Sequence, residues 1–177
     1  MLLVVQREGK PHLVLEKRAS TLKSQPGDIC LPGGSIDKGE TPLEAAVRET
    51  MEELGVPRES LEVLGPMDYF LSPYGQTMYP FVAKCHTEVF HPNEAEVDRL
   101  IFVPFSFFDS HKPLIYEIDL SAKLGEDFPY HLIENGKEYP FRKAVNKQYF
   151  YKYGDTVIWG FTAQIVKSFM DILKEEE

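Results

Sequence analysis

The stretch "GGSIDKGETPLEAAVRETMEELGV", Gly33 to Val56, decides how this chain is read. Thr41 is a good helix N-cap, Pro42 suits the first helical position, and Glu44 completes a capping box with Thr41. Gly55 is the residue expected where a helix stops. The spacing therefore predicts a helix from Thr41 to Leu54. On a wheel at about 100° per residue, Leu43, Ala46, Val47, Thr50, Met51 and Leu54 form the expected core face. Glu49, Glu52 and Glu53 gather on the other side, within about 100° of arc, so three carboxylates can approach one point. Like charges at this spacing destabilise a helix by a few tenths of a kcal/mol, roughly, per pair. They also stand in the last turns, where the helix dipole is already negative. Arg48 lies four residues from both Glu44 and Glu52 and can brace both. A solvated acidic face is the plain alternative. The ordered flanks argue against it: Gly34, five residues, Glu40, seven residues, Arg48-Glu49, then Glu52-Glu53 and Gly55-Val56.

Working outward, the 177 residues suit one domain, and 43% hydrophobic content is enough for a real core. The formal charge of −9 argues against an electrostatic grip on nucleic acid or an anionic membrane. It leaves room for a small phosphorylated substrate, because a metal ion can supply positive charge locally. Cys30 and Cys85 have no paired spacing, so a zinc site or disulfide framework is not expected. The five histidines show no ligand spacing. No apolar run approaches the roughly 18 residues of a membrane span, and "MLLVVQREGK" is too short and too poor in basic residues for a signal peptide. A cytoplasmic protein is expected, with no nucleic-acid or membrane partner; monomer and homodimer both stay open.

Strands are expected at Leu2 to Gln6 and His12 to Arg18, at Leu61 to Leu71 and Thr77 to Cys85 either side of the turn "SPYG", and at "VDRLIFVPF"; "ICLPGG" reads as a short strand running into a glycine turn, and Leu114 to Leu120 alternates partly. "QYFYKYGDTVIWG" reads as a strand pair turning at Gly154-Asp155. "FTAQIVKSFMDIL" reads as an amphipathic helix with Phe161, Ile165, Phe169 and Ile172 on one face. Trp159 is expected in the core. Strands mixed with two main helices make an α/β or α+β domain.

Gly34 to Val56 resembles the Nudix box: G, five residues, E, seven residues, then REUxEExGU with U a bulky apolar residue. Every fixed letter is present, and Thr50 stands at one U position. The resemblance implies a Nudix fold, an α/β/α sandwich with a mixed β-sheet, as a single domain over 1–177. It further implies that Glu49, Glu52 and Glu53 hold Mg²⁺ or Mn²⁺, with the Gly34 carbonyl a further ligand. Arg48 then orients the glutamates, and Glu40 is structural or outer-sphere. Hard divalent ions take oxygen ligands, neutralise a diphosphate and activate water. Some Nudix enzymes take their base from a loop outside the helix. Here "PNEAEVD" offers Glu96, with Glu94 as the fallback.

The stretch before the box, "LVLEKRASTLKSQPGDICLPGG", Leu13 to Gly34, resembles the signature of Nudix coenzyme A diphosphatases. Arg18-Ala19, Gly27 and Pro32-Gly33-Gly34 fall in register. Glu16 replaces a threonine, Lys23 an arginine and Leu31 a phenylalanine. "VIWGFTAQIV" and "NEAEVDRLIFVPF" resemble later segments of the same enzymes. The implied reaction is hydrolysis of coenzyme A or acyl-coenzyme A to adenosine 3′,5′-bisphosphate and a 4′-phosphopantetheine product. Arg18, Lys23 and Gly33 are the expected substrate contacts, the two cations toward the 3′-phosphate. The alternatives are ADP-ribose or another nucleoside diphosphate derivative as substrate, or a domain that senses a nucleotide without cleaving it. The complete set of box carboxylates favours catalysis.

Overall fold

The computed structural model describes residues 1–73 and 75–175. Its main sheet is built from β1 (Leu2–Arg7), β2 (Lys10–Arg18), β3 (Ile29–Cys30), β4 (Leu61–Pro66), β7 (Phe81–Cys85) and β8 (Val97–Pro104). The path runs β3-β2-β1-β7-β4, with β8 antiparallel to β2. β1 is antiparallel to β2 and parallel to β7, so the sheet is mixed. Two short strands, β5 (Phe70–Leu71) and β6 (Thr77–Met78), pair with each other alone. The expected strands 61–71 and 77–85 are each broken in two, at Met67 to Tyr69 and at Tyr79-Pro80. Pro66 and Pro80 lack the N–H a continuous ladder needs. Tyr74, in the expected turn, lies outside the described residues.

Both faces of the main sheet are covered, and the alternation of side chains shows it. Leu3, Val5 and Val14 join one core cluster with Leu54 and Val56 at the end of helix α1 (Pro42–Leu54). Leu2, Leu13, Leu15, Ile101 and Val103 join the other. That second cluster also takes Phe108 of α2 (Phe105–Ser110), Tyr151 of β10 (Ala144–Tyr153), Ile158 of β11 (Thr156–Trp159), and Val166 and Phe169 of α3 (Gly160–Glu175). β9 (Leu114–Leu120), β10 and β11 form a second, antiparallel sheet in the order β11-β10-β9. The result is an α/β architecture with α1 on one side of the mixed sheet and α3 on the other.

Helix α1 carries the expected ends. Thr41 Oγ1 accepts from the Glu44 N–H, and the Glu44 carboxylate accepts from the Thr41 N–H at 2.8 Å. Gly55 is left-handed at φ 60°, ψ 40°. The core face of the helix is rotated from the expected one. Ala45, Thr50, Glu53 and Leu54 are buried, whereas Leu43 is 37% exposed. The reason is angular: Glu53 follows Ala46 by seven residues and returns to within about 20° of it. Thr50 fits its apolar slot by donating its hydroxyl to the Ala46 carbonyl at 2.6 Å.

Two further expectations change at the C-terminal side. Trp159 is 44% exposed and stacks on Phe150 with ring centres 5.9 Å apart, at the surface rather than in the core. Its strand position faces away from α3, where Ile158 is fully buried. Ile172 is 45% exposed, and past Met170 the helix packs on the core through Leu173 instead.

Candidate active site

The site lies where the end of β2, the loop after β3 and the last turns of α1 meet. Arg48 is its organiser. Its Nε and Nη2 donate to the two oxygens of Glu40, at 2.9 and 3.0 Å. Nη1 donates to Glu49 at 2.8 Å and to Glu52 at 3.2 Å, and Nη2 also reaches the Ser35 carbonyl at 3.1 Å. The fork binds Glu40 in a bidentate pair, a geometry a lysine could not provide. Arg48 holds the Glu40 carboxyl below its ordinary range. Glu44, expected to share Arg48, is instead taken by the capping box.

The glycine loop is pressed against the glutamates. The Gly33 N–H donates to Glu53 at 2.7 Å. A Cβ on Gly34 would stand 2.4 Å from the Glu49 carboxyl carbon. A larger residue here would push the Glu49 carboxylate out of its place beside Arg48. The main-chain nitrogen of Met1 donates to the Pro32 carbonyl and so anchors the same loop to β1.

Glu53 is 4% exposed. Burial, then the nearby Glu16 carboxylate, push its carboxyl up to about 8, against the Gly33 hydrogen bond. Glu16, on β2, is 1% exposed and faces α1 as Val14 does. Its Oε1 accepts from the Cys30 thiol at 3.2 Å, and its Oε2 has no partner among the described residues. Burial raises the Glu16 carboxyl, against the Cys30 hydrogen bond and the positive charges of Arg18 and the Met1 main-chain nitrogen. The Cys30 and Gly33 hydrogen bonds hold Glu16 and Glu53 on one short segment. In the sequence, Glu16 reads only as a departure from a signature. The signal was available: Glu16 shares the strand parity of Val14.

The remaining expected residues are placed less centrally. Arg18 is half-buried, its Nε 3.4 Å from the Ser24 carbonyl. Lys23 is exposed in the loop between β2 and β3. Glu96 is half-buried and Glu94 exposed. Their loop is tied to the end of α1: the N–H groups of His91 and Asn93 donate to the carbonyls of Leu54 and Glu53 at 3.0 and 2.9 Å. These bonds satisfy carbonyls that a helix end otherwise leaves unpaired.

Among the described residues no three acidic, His or Cys side chains stand ready-arranged around a cation. Arg48 and Gly33 hold one oxygen each of Glu49, Glu52 and Glu53. The other oxygen of each has no donor among the described residues. A set of hard carboxylate oxygens with one free position apiece suits Mg²⁺ or Mn²⁺, and so does the orphaned Glu16 Oε2.

Residues 1–118 match the model of the NUDIX domain. The chain is 31% identical over 168 residues to the uncharacterized Nudix hydrolase NudL of Photorhabdus laumondii, covering 94% of this chain and 79% of that protein. It is 32% identical over 133 residues to the peroxisomal coenzyme A diphosphatase NUDT7 of Mus musculus, covering 74% of this chain and 56% of the mouse protein. Among solved structures, the Nudix hydrolase RenU of M. smegmatis superposes with a TM-score of 0.50 at 29% identity, covering 59% of this chain and 68% of RenU. A C. elegans Ap4A hydrolase complex gives 0.51 at 19% identity, covering 59% of this chain and 77% of the hydrolase; that likeness concerns the fold alone.

Proposed function

The chain belongs to the Nudix family of diphosphate-cleaving hydrolases, and we propose that its substrate is coenzyme A or an acyl derivative. Addition of water across the diphosphate then gives adenosine 3′,5′-bisphosphate and a 4′-phosphopantetheine product. The observation that carries this reading is the register of Arg18-Ala19, Gly27 and Pro32-Gly34 ahead of the box, on a chain similar to a coenzyme A diphosphatase over 133 residues.

In this reading Glu49, Glu52 and Glu53, with the Gly34 carbonyl, hold Mg²⁺ or Mn²⁺. Such a cation neutralises the diphosphate and favours attack of water at phosphorus. Arg48 positions Glu49 and Glu52, and Glu40 anchors Arg48. Gly33 keeps the loop close to Glu53 and to the substrate. Glu96 takes the proton of the attacking water. Arg18 and Lys23 recognise the 3′-phosphate, a group that coenzyme A has and ADP-ribose lacks.

The test is a comparison of coenzyme A with its 3′-dephospho form, beside ADP-ribose and NADH, with Mg²⁺ or Mn²⁺. A charge-assisted contact contributes about 1.5–3 kcal/mol, so kcat/KM is expected to favour coenzyme A by about tenfold or more. Equal values for the two coenzyme A forms would remove the 3′-phosphate argument, and preference for ADP-ribose would overturn the substrate.

A further inference from the structure

Glu16 is the least explained charged side chain in the molecule. It is 1% exposed and lies at the end of β2. Ionisable groups are almost never buried to this degree without a partner. Glu16 has half of one. The Cys30 thiol, on the strand paired beside it, donates to Oε1 at 3.2 Å. Cys30 is held as a thiol by burial and by Glu16 itself, so it serves as a donor and fixes the carboxylate plane. Oε2 is left as the one buried side-chain oxygen or nitrogen without a partner among the described residues.

Cys30 and Gly33, three residues apart on the run from β3 into the glycine loop, donate to Glu16 and to Glu53 respectively, so one short segment holds both acids. Two cationic groups lie nearby, the half-buried Arg18 guanidinium and the buried Met1 main-chain amine, which donates to the Pro32 carbonyl. Neither donates to Oε2. A divalent ion between Glu16 and Glu53 would satisfy it, because such an ion offsets several carboxylates and takes oxygen ligands readily. Glu16 also stands where the signature before the box has threonine, so the extra carboxylate belongs to this chain rather than to the general pattern.

We propose that Glu16 is an additional metal-holding residue, its Oε2 serving the divalent cation bound by Glu53 across the gap between β2 and α1. The inference rests on the reading that the α1 glutamates hold such a cation. Cys30 orients the ligand by occupying its other oxygen.

The experiment titrates Mn²⁺ into the metal-free full chain, following heat and the electron paramagnetic signal of free Mn²⁺. Thermal melting is measured with and without the ion. The variants are Glu16→Gln, Glu16→Thr and Glu52→Gln; the threonine restores the signature residue should glutamine fold poorly. Both Glu16 variants are expected to bind Mn²⁺ at least about tenfold more weakly than the native chain. They are expected to melt higher than it when metal-free and to gain less on adding Mn²⁺. Unchanged affinity and an unchanged Mn²⁺-induced gain at residue 16, with binding weakened in Glu52→Gln, would overturn the Glu16 assignment alone. Unchanged binding in all three variants, or no binding by the native chain, would overturn the metal site beneath it as well.

Discussion

At the scale of single residues, Glu53 joins chemistry to stability. Its carboxyl is buried and pushed up to about 8, well above an ordinary glutamate. The native state therefore holds a proton that the unfolded chain releases above about pH 4.3. Stability from this group is fully present below that pH and is lost as pH rises through about 8. Followed from pH 5 to 8.5 in the metal-free protein, the Tm advantage of the native chain over Glu53→Gln should shrink as pH rises; the difference isolates Glu53 from the Met1 amine, lowered to about 6 by burial, whose contribution rises with pH. An advantage that grows over this range would contradict the assignment. The same substitution bears on catalysis. Glu52→Gln and Glu53→Gln should each lower kcat by a factor of about a hundred or more, with near-native folding by circular dichroism, as expected when charge stabilisation at the reacting diphosphate is removed. Arg48 acts through others. It touches Glu40, Glu49 and Glu52, so its loss disorders the carboxylates rather than removing one.

At the scale of elements, helix α1 is a platform fixed at both ends. The capping box holds its start, and Gly55 with the 91–93 loop holds its finish. Gly55 has φ 60°, and a Cβ there would stand 2.0 Å from the His91 carbonyl oxygen. Gly55→Ala must therefore move backbone as well as adopt a left-handed alanine. A loss of about 1–3 kcal/mol in denaturant unfolding is expected, with a weaker KM or kcat because the displaced loop carries Glu96. A Thr41→Ala change should cost about 1 kcal/mol and leave the site intact, since it removes a cap at the far end of the helix. The contrast between the two variants separates a stability effect from a positional one.

At the scale of the whole molecule, the family match ends at residue 118, yet the core does not. Ile158, Val166, Phe169 and Met170 complete the cluster begun by Leu2, Leu13, Leu15 and Val103. We expect residues 1–177 to unfold as one cooperative unit, with coincident transitions by fluorescence and circular dichroism. A chain cut after residue 118 would bare the α3 side of the sheet and should aggregate or unfold. Two separated transitions, or a well-folded 1–118 fragment, would show that the C-terminal sheet and α3 are an independent addition.

Much of this was legible in the one-dimensional chain. The capping residues, the glutamate spacing and the alternation in β1 and β2 depend on contacts a few residues apart, so local sequence determines them. Thr41, Pro42, Glu44 and Gly55 stand where the sequence places them. The grouping of Glu49, Glu52 and Arg48 follows from helical periodicity alone. What tertiary structure decided is which side of that helix is buried, and with it the state of Glu53. A wheel ranks side chains by hydrophobicity, but burial is set by where the Gly33-Gly34 loop and β2 press on the helix. The same holds for Glu16, tied through Cys30 to the run whose Gly33 holds Glu53, 37 positions further along the chain. Trp159 lies outside the core for the corresponding reason: strand parity gives the inward place to Ile158, and only the packing of α3 says which parity is inward.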